Sequence, residues 1–490
     1  MAFPILSVTL LTLAAGAVLS FLAGRYARWV ALLFSVAFLF ESLYLVVQYT
    51  SWPGTGLGGV SLFSFQESYA WISLPWLHIN YTVGVDGISI VLILLTAFLQ
   101  LATVIYSWNE EKWPAAWFGL VLLTCLGSVG VFSALDILLF FLFWEAVLVP
   151  MFFMIGYWGG PRRRYAALKF FVYTHVASVV MLVSLLSIAF YGHSTSFDYA
   201  SVYAAGLTLP QTVQIVAFLG LFFGFGVKFP IVPFHTWLPD AHVEAPTGGS
   251  VLLAGLLLKL GGYGLIRWGF LLVPHAITPH VQWVLYAVAF ASIIWGSLVS
   301  LAQRDMKRLI AYSSINHMGI VLLAIAVNST VGFTAAVLLM FAHGIVSGLL
   351  FMASGSVHHA FGTRDIATLH GITPTTPFLA TMIMVGSLAS LGLPALISFP
   401  AEFTALLATW DQIGYWVLIP LVMLVVTAAF YIWMMQRMLF GPPEGIPAEA
   451  HDVPWNEGAG MSVLVALTVL YGILPALLVT LIANSAVYGH

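Results

Sequence analysis

Charge is what this sequence has least of. Asp, Glu, Lys and Arg make up 7% of its 490 residues, against 61% apolar residues. A soluble domain carries roughly 25% charged residues, so a water-facing surface for a chain of this size is excluded and the bilayer is its solvent. The net charge of -3 comes without a basic cluster, which excludes nucleic acid as a partner. Cysteine is nearly absent as well. Cys125 stands alone inside an apolar run, so disulfides, iron–sulfur clusters and thiolate zinc sites are excluded within this chain. There is no Gly-rich phosphate loop and hence no nucleotide site. No basic residue precedes the first apolar run, Phe3 to Leu22; Arg25 and Arg28 follow it, the reverse of a cleavable signal peptide. That run reads as a first membrane span with the N-terminus on the non-cytoplasmic side.

What the sequence does have is long apolar runs. A spanning helix needs roughly 20 mainly apolar residues. Fourteen segments qualify, near 3–22, 30–49, 85–106, 115–133, 136–158, 168–191, 212–240, 247–272, 280–301, 308–327, 331–354, 374–408, 413–440 and 460–484. Strands of a β-barrel would alternate in roughly ten-residue pieces instead. The charges test the count. Twelve of the fifteen Lys and Arg fall in alternate connections: Arg25, Arg28, Lys112, Arg162, Arg163, Arg164, Lys169, Arg304, Lys307, Arg308, Arg364 and Arg437. One missed or invented span would scramble that order, so these connections face the cytoplasm. Lys228, Lys259 and Arg267 lie within spans.

Two segments are too long for a plain span, and both hold internal prolines: Pro230 and Pro233 in the seventh, Pro394 and Pro400 in the twelfth. Proline removes an amide donor and clashes with the preceding turn. Such a break survives in a bilayer only where protein or a wet cavity satisfies the backbone. The two segments run in opposite directions by the parity of the count, and paired broken helices in inverted halves point to a transport path. The expected fold is therefore an all-α integral membrane protein of about 14 transmembrane helices with two inverted five-helix repeats, each containing a broken helix. Its regions are an N-terminal three-helix part (1–110), a first half-channel (111–275, spans 4–8), a second (276–440, spans 9–13), and an acidic linker with the last span (441–490).

Glu145, Lys228, Lys259 and Glu402 all lie deep in apolar surroundings. A charge at the bilayer centre costs roughly 2.5–3.5 kcal/mol on insertion scales. Static Glu–Lys pairing between helices is one reading, but static pairs do not need broken helices. His317, with Ser313, Ser314 and Asn316, and then His343, Ser347 and His175 add polar groups at mid-depth. Any one of these histidines reads first as a hydrogen-bonded core residue and only second as a relay; together they suit a proton wire. At an effective dielectric of about 20, charges roughly 7 Å apart interact by about 2.4 kcal/mol. Moving Glu145 relative to Lys228 would thus switch the lysine between holding and releasing a proton. The glycines of the seventh and eighth spans, such as Gly224, Gly261 and Gly264, read most simply as close helix packing.

The stretch KFPIVPFHTWLPDAHVEAPTGGSVLLAGLLLKLGGYG, Lys228 to Gly264, and QRDMKRLIAYSSINHMG, Gln303 to Gly319, resemble two signatures of one family. It comprises the antiporter-like membrane-arm subunits of proton-pumping NADH:quinone oxidoreductase, respiratory complex I. The likeness covers nearly all fourteen spans. Glu402 stands where sister subunits and Mrp-type cation/proton antiporter subunits usually have lysine, and no long lateral helix follows the last span. Both features resemble the subunit M branch (chain 4 in mitochondrial naming). The resemblance implies Glu145 and Lys228 as a coupling pair, Lys259 as central relay, His317 and His343 as onward links, and Glu402 as the exit-side residue. It also implies no cofactor on this chain, with FMN, iron–sulfur clusters and quinone on partner subunits. The partners are other membrane-arm and peripheral-arm subunits, lipid and protons, and the location is an energy-transducing membrane, a prokaryotic plasma membrane first. The family often shows glycine where this chain has Ala395 and Ala401, a departure that bears on the shape of the second break.

Three rival readings remain open at this stage. An Mrp-type antiporter subunit would share the buried charges, with Glu402 against it. A haem-bearing subunit needs axial histidines at mid-depth on neighbouring spans; His358 and His359 fall in a connection. A structural spacer of the same complex is the third. Glu41, in the second span, has no assigned role.

Overall fold

The computed structural model describes residues 3–51, 63–74 and 77–485. Among the described residues thirteen helices are long and apolar enough to cross a membrane, one of them, Ser398–Leu439, being two helices in series. Counted by crossings there are fourteen spans. Spans 1 to 4 are Ile5–Leu22, Ala27–Ser51, Gly87–Tyr106 and Pro114–Ser133. Span 5 is Ile137–Ala146 with Leu148–Trp158, span 6 Arg163–Tyr191, and span 7 Gln211–Lys228 with Trp237–Glu244. Span 8 is Thr247–Phe270, span 9 Pro279–Leu301, span 10 Met306–Ala326 and span 11 Thr330–Phe361. Span 12 is Pro377–Ser390 with Ser398–Ile413, span 13 Leu418–Leu439 and span 14 Trp455–Ile473.

Much of the charge outside the core serves the helix ends. Asp86, Asp136 and Asp305 accept the first amide donors of spans 3, 5 and 10. Four amides at each helix start lack an internal partner, and carboxylates satisfy them where the dipole is positive. Spans 4, 9 and 12 start on proline, whose missing amide costs nothing at that position. Asp452, from the acidic linker, reaches across to the amides of Phe378 and Leu379 at the start of span 12.

Both expected breaks are present. Span 7 unwinds between Lys228 and Trp237, span 12 between Ser390 and Ser398. Protein, not lipid, satisfies the freed backbone. The amide of Val232 donates to Ser292 Oγ at 3.0 Å, and the Trp237 indole donates to the Val227 carbonyl at 2.8 Å. In the second break the Ile397 amide donates to the Thr468 carbonyl of span 14 at 3.1 Å. Ala395 sits there with φ 73, a left-handed conformation that suits glycine. The departure from glycine noted in the sequence thus falls on a position whose backbone asks for it, whereas Ala401 is ordinary helix.

Other features depart from expectation. Span 5 is interrupted too, at Val147, because Pro150 has no amide to give the Ala146 carbonyl four residues earlier. Span 8 is a continuous helix whose winding widens to π turns at Leu253–Leu257 and Leu265–Phe270, either side of Lys259. A two-stranded antiparallel hairpin, Ser64–Leu74 with Leu77–Val85, occupies the connection from span 2 to span 3. His358 and His359 belong to the last turns of span 11 and not to a connection. Pro475 ends span 14 sooner than 484, and a short helix, Ala476–Ala483, follows.

The two faces confirm the parity. On one, short bridges join the hairpin to the 4–5 connection (Val83 with Ala134) and to the 6–7 connection (His78 with Ser196). On the other, bridges join the 9–10 connection to the 11–12 connection (Asp305 with Asp365) and that one to the 13–14 connection (His370 with Glu444). Odd-to-even connections share one face and even-to-odd the other, as an uninterrupted count of fourteen requires.

Candidate functional site

Lys228 closes the first half of span 7 and is 2% exposed. Its ammonium donates to the Trp144 carbonyl at 3.1 Å and lies 3.9 Å from the centre of the Trp144 ring. Glu145, the next residue, makes no ion pair with it among the described residues. One carboxylate oxygen is 2.7 Å from Nδ1 of His175 on span 6, and the other is buried without a hydrogen-bond partner. The expected pair of Glu145 and Lys228 are therefore neighbours through the span 5 main chain and not an ion pair. His175, nearly half exposed on span 6, meets Glu145 and makes no described hydrogen bond to the buried lysines or the other histidines.

Lys259, fully buried at the middle of span 8, donates to the Ala254 carbonyl and to Nδ1 of His343 on span 11, the latter at 2.7 Å. The His343 ring centre is 5.6 Å from that of His317 on span 10. His317 Nδ1 faces the Ser313 carbonyl at 2.7 Å; its Nε2 faces the Ser390 carbonyl at 3.1 Å and Glu402 Oε1 at 3.5 Å. Lys259, His343, His317 and Glu402 thus form one buried line across spans 8, 11, 10 and 12. A small cavity lies beside it, lined by both histidines, Ser313, Ser347, Ser390 and Tyr431 together with apolar residues such as Leu339 and Leu350. Between Lys228 and Lys259 no such side-chain line is drawn among the described residues.

Neither lysine forms an ion pair among the described residues, and Glu402 faces only a histidine. Static Glu–Lys bridging is therefore not the arrangement found. The buried pair that does exist is Arg267 with Asp86, at the far end of span 8 and enclosed by Tyr199 and Tyr263. Close packing of the glycines is borne out in detail. A Cβ on Gly261 would lie 2.8 Å from the Phe225 carbonyl oxygen and from the Phe229 amide nitrogen. Only glycine lets span 8 approach the span 7 break so closely.

Two residues escaped the sequence reading. Lys307, expected in a cytoplasmic connection, is 3% exposed and donates to the Ala245 carbonyl at 2.5 Å. Because Asp305 caps span 10, Lys307 is already helical and turned inward. It lines a cavity of about 640 Å³ where the 3–4, 5–6, 7–8, 11–12 and 13–14 ends meet, together with Glu244, His359 and Glu457. His242 is fully buried, both ring nitrogens lack a hydrogen-bond partner among the described residues, and its ring stacks on Phe351 at 4.5 Å. Its place within the Lys228–Gly264 signature, seven residues after His235, was the available signal.

Comparison with known proteins agrees with this geometry. A family model described as NADH:quinone oxidoreductase/Mrp antiporter, TM, matches residues 134–430. NADH-quinone oxidoreductase subunit M of Rhodobacter capsulatus is 39% identical over 98% of this chain and 95% of its own length. F(420)H(2) dehydrogenase subunit M of Methanosarcina mazei is 39% identical over 86% of each chain. Among solved structures, a chain of respiratory complex I from Thermus thermophilus with bound NADH superposes with a TM-score of 0.87, 26% identity and complete coverage of both chains. One of the Mrp complex from Dietzia sp. DQ12-45-1b gives 0.84 at 20% identity, which speaks to fold alone. The chain belongs to the NADH:quinone oxidoreductase/Mrp antiporter membrane family, in its subunit M branch.

Proposed function

We propose that this chain is a proton-translocating membrane-arm subunit of a respiratory quinone oxidoreductase, driven by redox chemistry on partner subunits. The observation that carries the reading is the buried line from Lys259 through His343 and His317 to Glu402. Each member can gain or lose a proton, and each lies within contact or one water of the next. Lys259 is the central relay, the two histidines pass the proton on, and Glu402 is the exit-side residue. Glu145 and Lys228 form the coupling pair of the first half, residues 111–275; the line to Glu402 belongs to the second, residues 276–440. The cavity at Lys307 and Glu457 is the cytoplasmic mouth. The electron donor, FMN, iron–sulfur clusters and quinone belong to partners. The membrane is the prokaryotic plasma membrane, with the N-terminus outside.

Translocation against 100 mV costs about 2.3 kcal/mol per charge, so conformational work must reach the line from outside this chain. The deciding experiment uses Lys259→Ala in assembled membranes, with quinone-reductase activity and proton uptake measured together. Loss of both with assembly intact supports the reading. Retention of both makes the line structural. The shared family also includes Mrp antiporters, and sodium-dependent proton flux without electron transfer would favour that alternative.

A further inference from the structure

We infer that Trp144 is a positioning residue for Lys228, holding the protonated ammonium by its ring face and its carbonyl at once. The inference rests on the reading of Lys228 as part of the proton path.

Lys228 is buried, it forms no ion pair with a carboxylate among the described residues, and its hydrogen bond and its ring contact both come from one residue. An indole face is the best aromatic partner for a cation, and the attraction grows when water is excluded. Trp144 is itself fully buried and fixed on every side. Its indole N–H donates to Ser178 Oγ at 2.9 Å, and Phe140 and Phe225 pack on its ring at 5.7 and 5.4 Å. The clamp is shared. Ser178 and His175 lie three residues apart on span 6, so one helix face grips Trp144 through Ser178 and Glu145 through His175. The span 5 interruption at Val147 sits just after both gripped residues and gives that segment a place to bend. A displacement of span 6 would carry the Trp144 ring and the Glu145 carboxylate together, changing what the ammonium of Lys228 meets.

The test replaces Trp144 in the assembled complex with mono-, di- and trifluorotryptophan by stop-codon suppression. Fluorine withdraws charge from the ring face and leaves its shape nearly unchanged. Proton uptake coupled to quinone reduction should fall stepwise with each fluorine, reaching about tenfold at three, with Trp144→Phe retaining more activity than Trp144→Leu. A flat response across the series, with assembly unchanged on native gels, overturns the inference and leaves the ring as packing. Lys228→Ala separates the two levels. If it leaves pumping intact, the proton-path reading of Lys228 fails. If it abolishes pumping while fluorination does nothing, only the role of Trp144 fails.

Discussion

A buried ammonium with no carboxylate beside it needs other partners, and Lys259 finds them in a carbonyl and an imidazole. The imidazole of His343 is the link that can be cut most cleanly, since among the described residues it lies between Lys259 and His317. His343→Ala should abolish proton uptake while His343→Gln, which keeps an acceptor for Lys259 but cannot relay a proton, should do the same with better assembly; pumping retained in both would remove His343 from the path. Arg267 and Asp86 behave oppositely, as a closed pair with nothing to exchange. Asp86→Asn would strand the guanidinium in a dry site and also weaken the span 3 cap, a loss of roughly 3–5 kcal/mol. The expected readout is reduced assembly of the complex on native gels, with the specific activity of whatever assembles unchanged. Most deep polar residues were legible in sequence because charge in an apolar run stands out. Lys307, His242 and Trp144 were not, since a lysine and a histidine in connection-like stretches and a tryptophan in an apolar one look ordinary until their neighbours are known.

At the level of helices, the departures from regular winding gather around the path. The breaks of spans 7 and 12, the interruption of span 5 and the π turns of span 8 each adjoin a residue proposed to move protons. Ala395 holds a left-handed conformation in the second break at a cost of roughly 1–2 kcal/mol. Ala395→Gly should therefore raise the thermal stability of the detergent-solubilised complex, or leave it level if added chain freedom offsets the relief; a fall would contradict the backbone assignment. Gly261→Ala should act the other way. Its added methyl meets backbone atoms of span 7 that cannot rotate aside, so spans 7 and 8 must part. Lower thermal stability and diminished pumping are expected together. Prolines announced two of the breaks. The π turns had no such signal, because the residues of span 8 are compatible with ordinary helix and their winding follows from packing against spans 3, 7 and 11.

Over the whole molecule, the bridges on each face fix which connections lie together, and the alternation of positive connections supports the orientation proposed above. It can be read directly. In a Cys125→Ser background, Tyr69→Cys on the hairpin and Glu449→Cys on the 13–14 connection both offer exposed thiols. A membrane-impermeant maleimide applied outside intact cells should label position 69 and not 449, and inverted vesicles should reverse the result. Labelling of both from one side would mean that the count of fourteen is wrong. The same scale shows what joins span 8 to span 12. Span 11 runs 32 residues through the centre with its core entirely enclosed, and carries His343 between the lysine of span 8 and the glutamate of span 12.

Residue order alone determined the solvent, the number and alternation of spans, two broken helices and the identity of most of the deep charges. Each of these is a local property, set by how many apolar residues follow one another and where a charge or a proline interrupts them. Only the tertiary structure decided which of those charges meet. Lys228 rests on Trp144 and not on Glu145, Lys259 joins His343, Lys307 turns inward, and Glu402 finds His317 across the second break. Those partners lie tens to hundreds of residues apart in the chain, and their approach follows from helix packing, in which a glycine or a widened turn moves a side chain by the few ångströms that separate a contact from none.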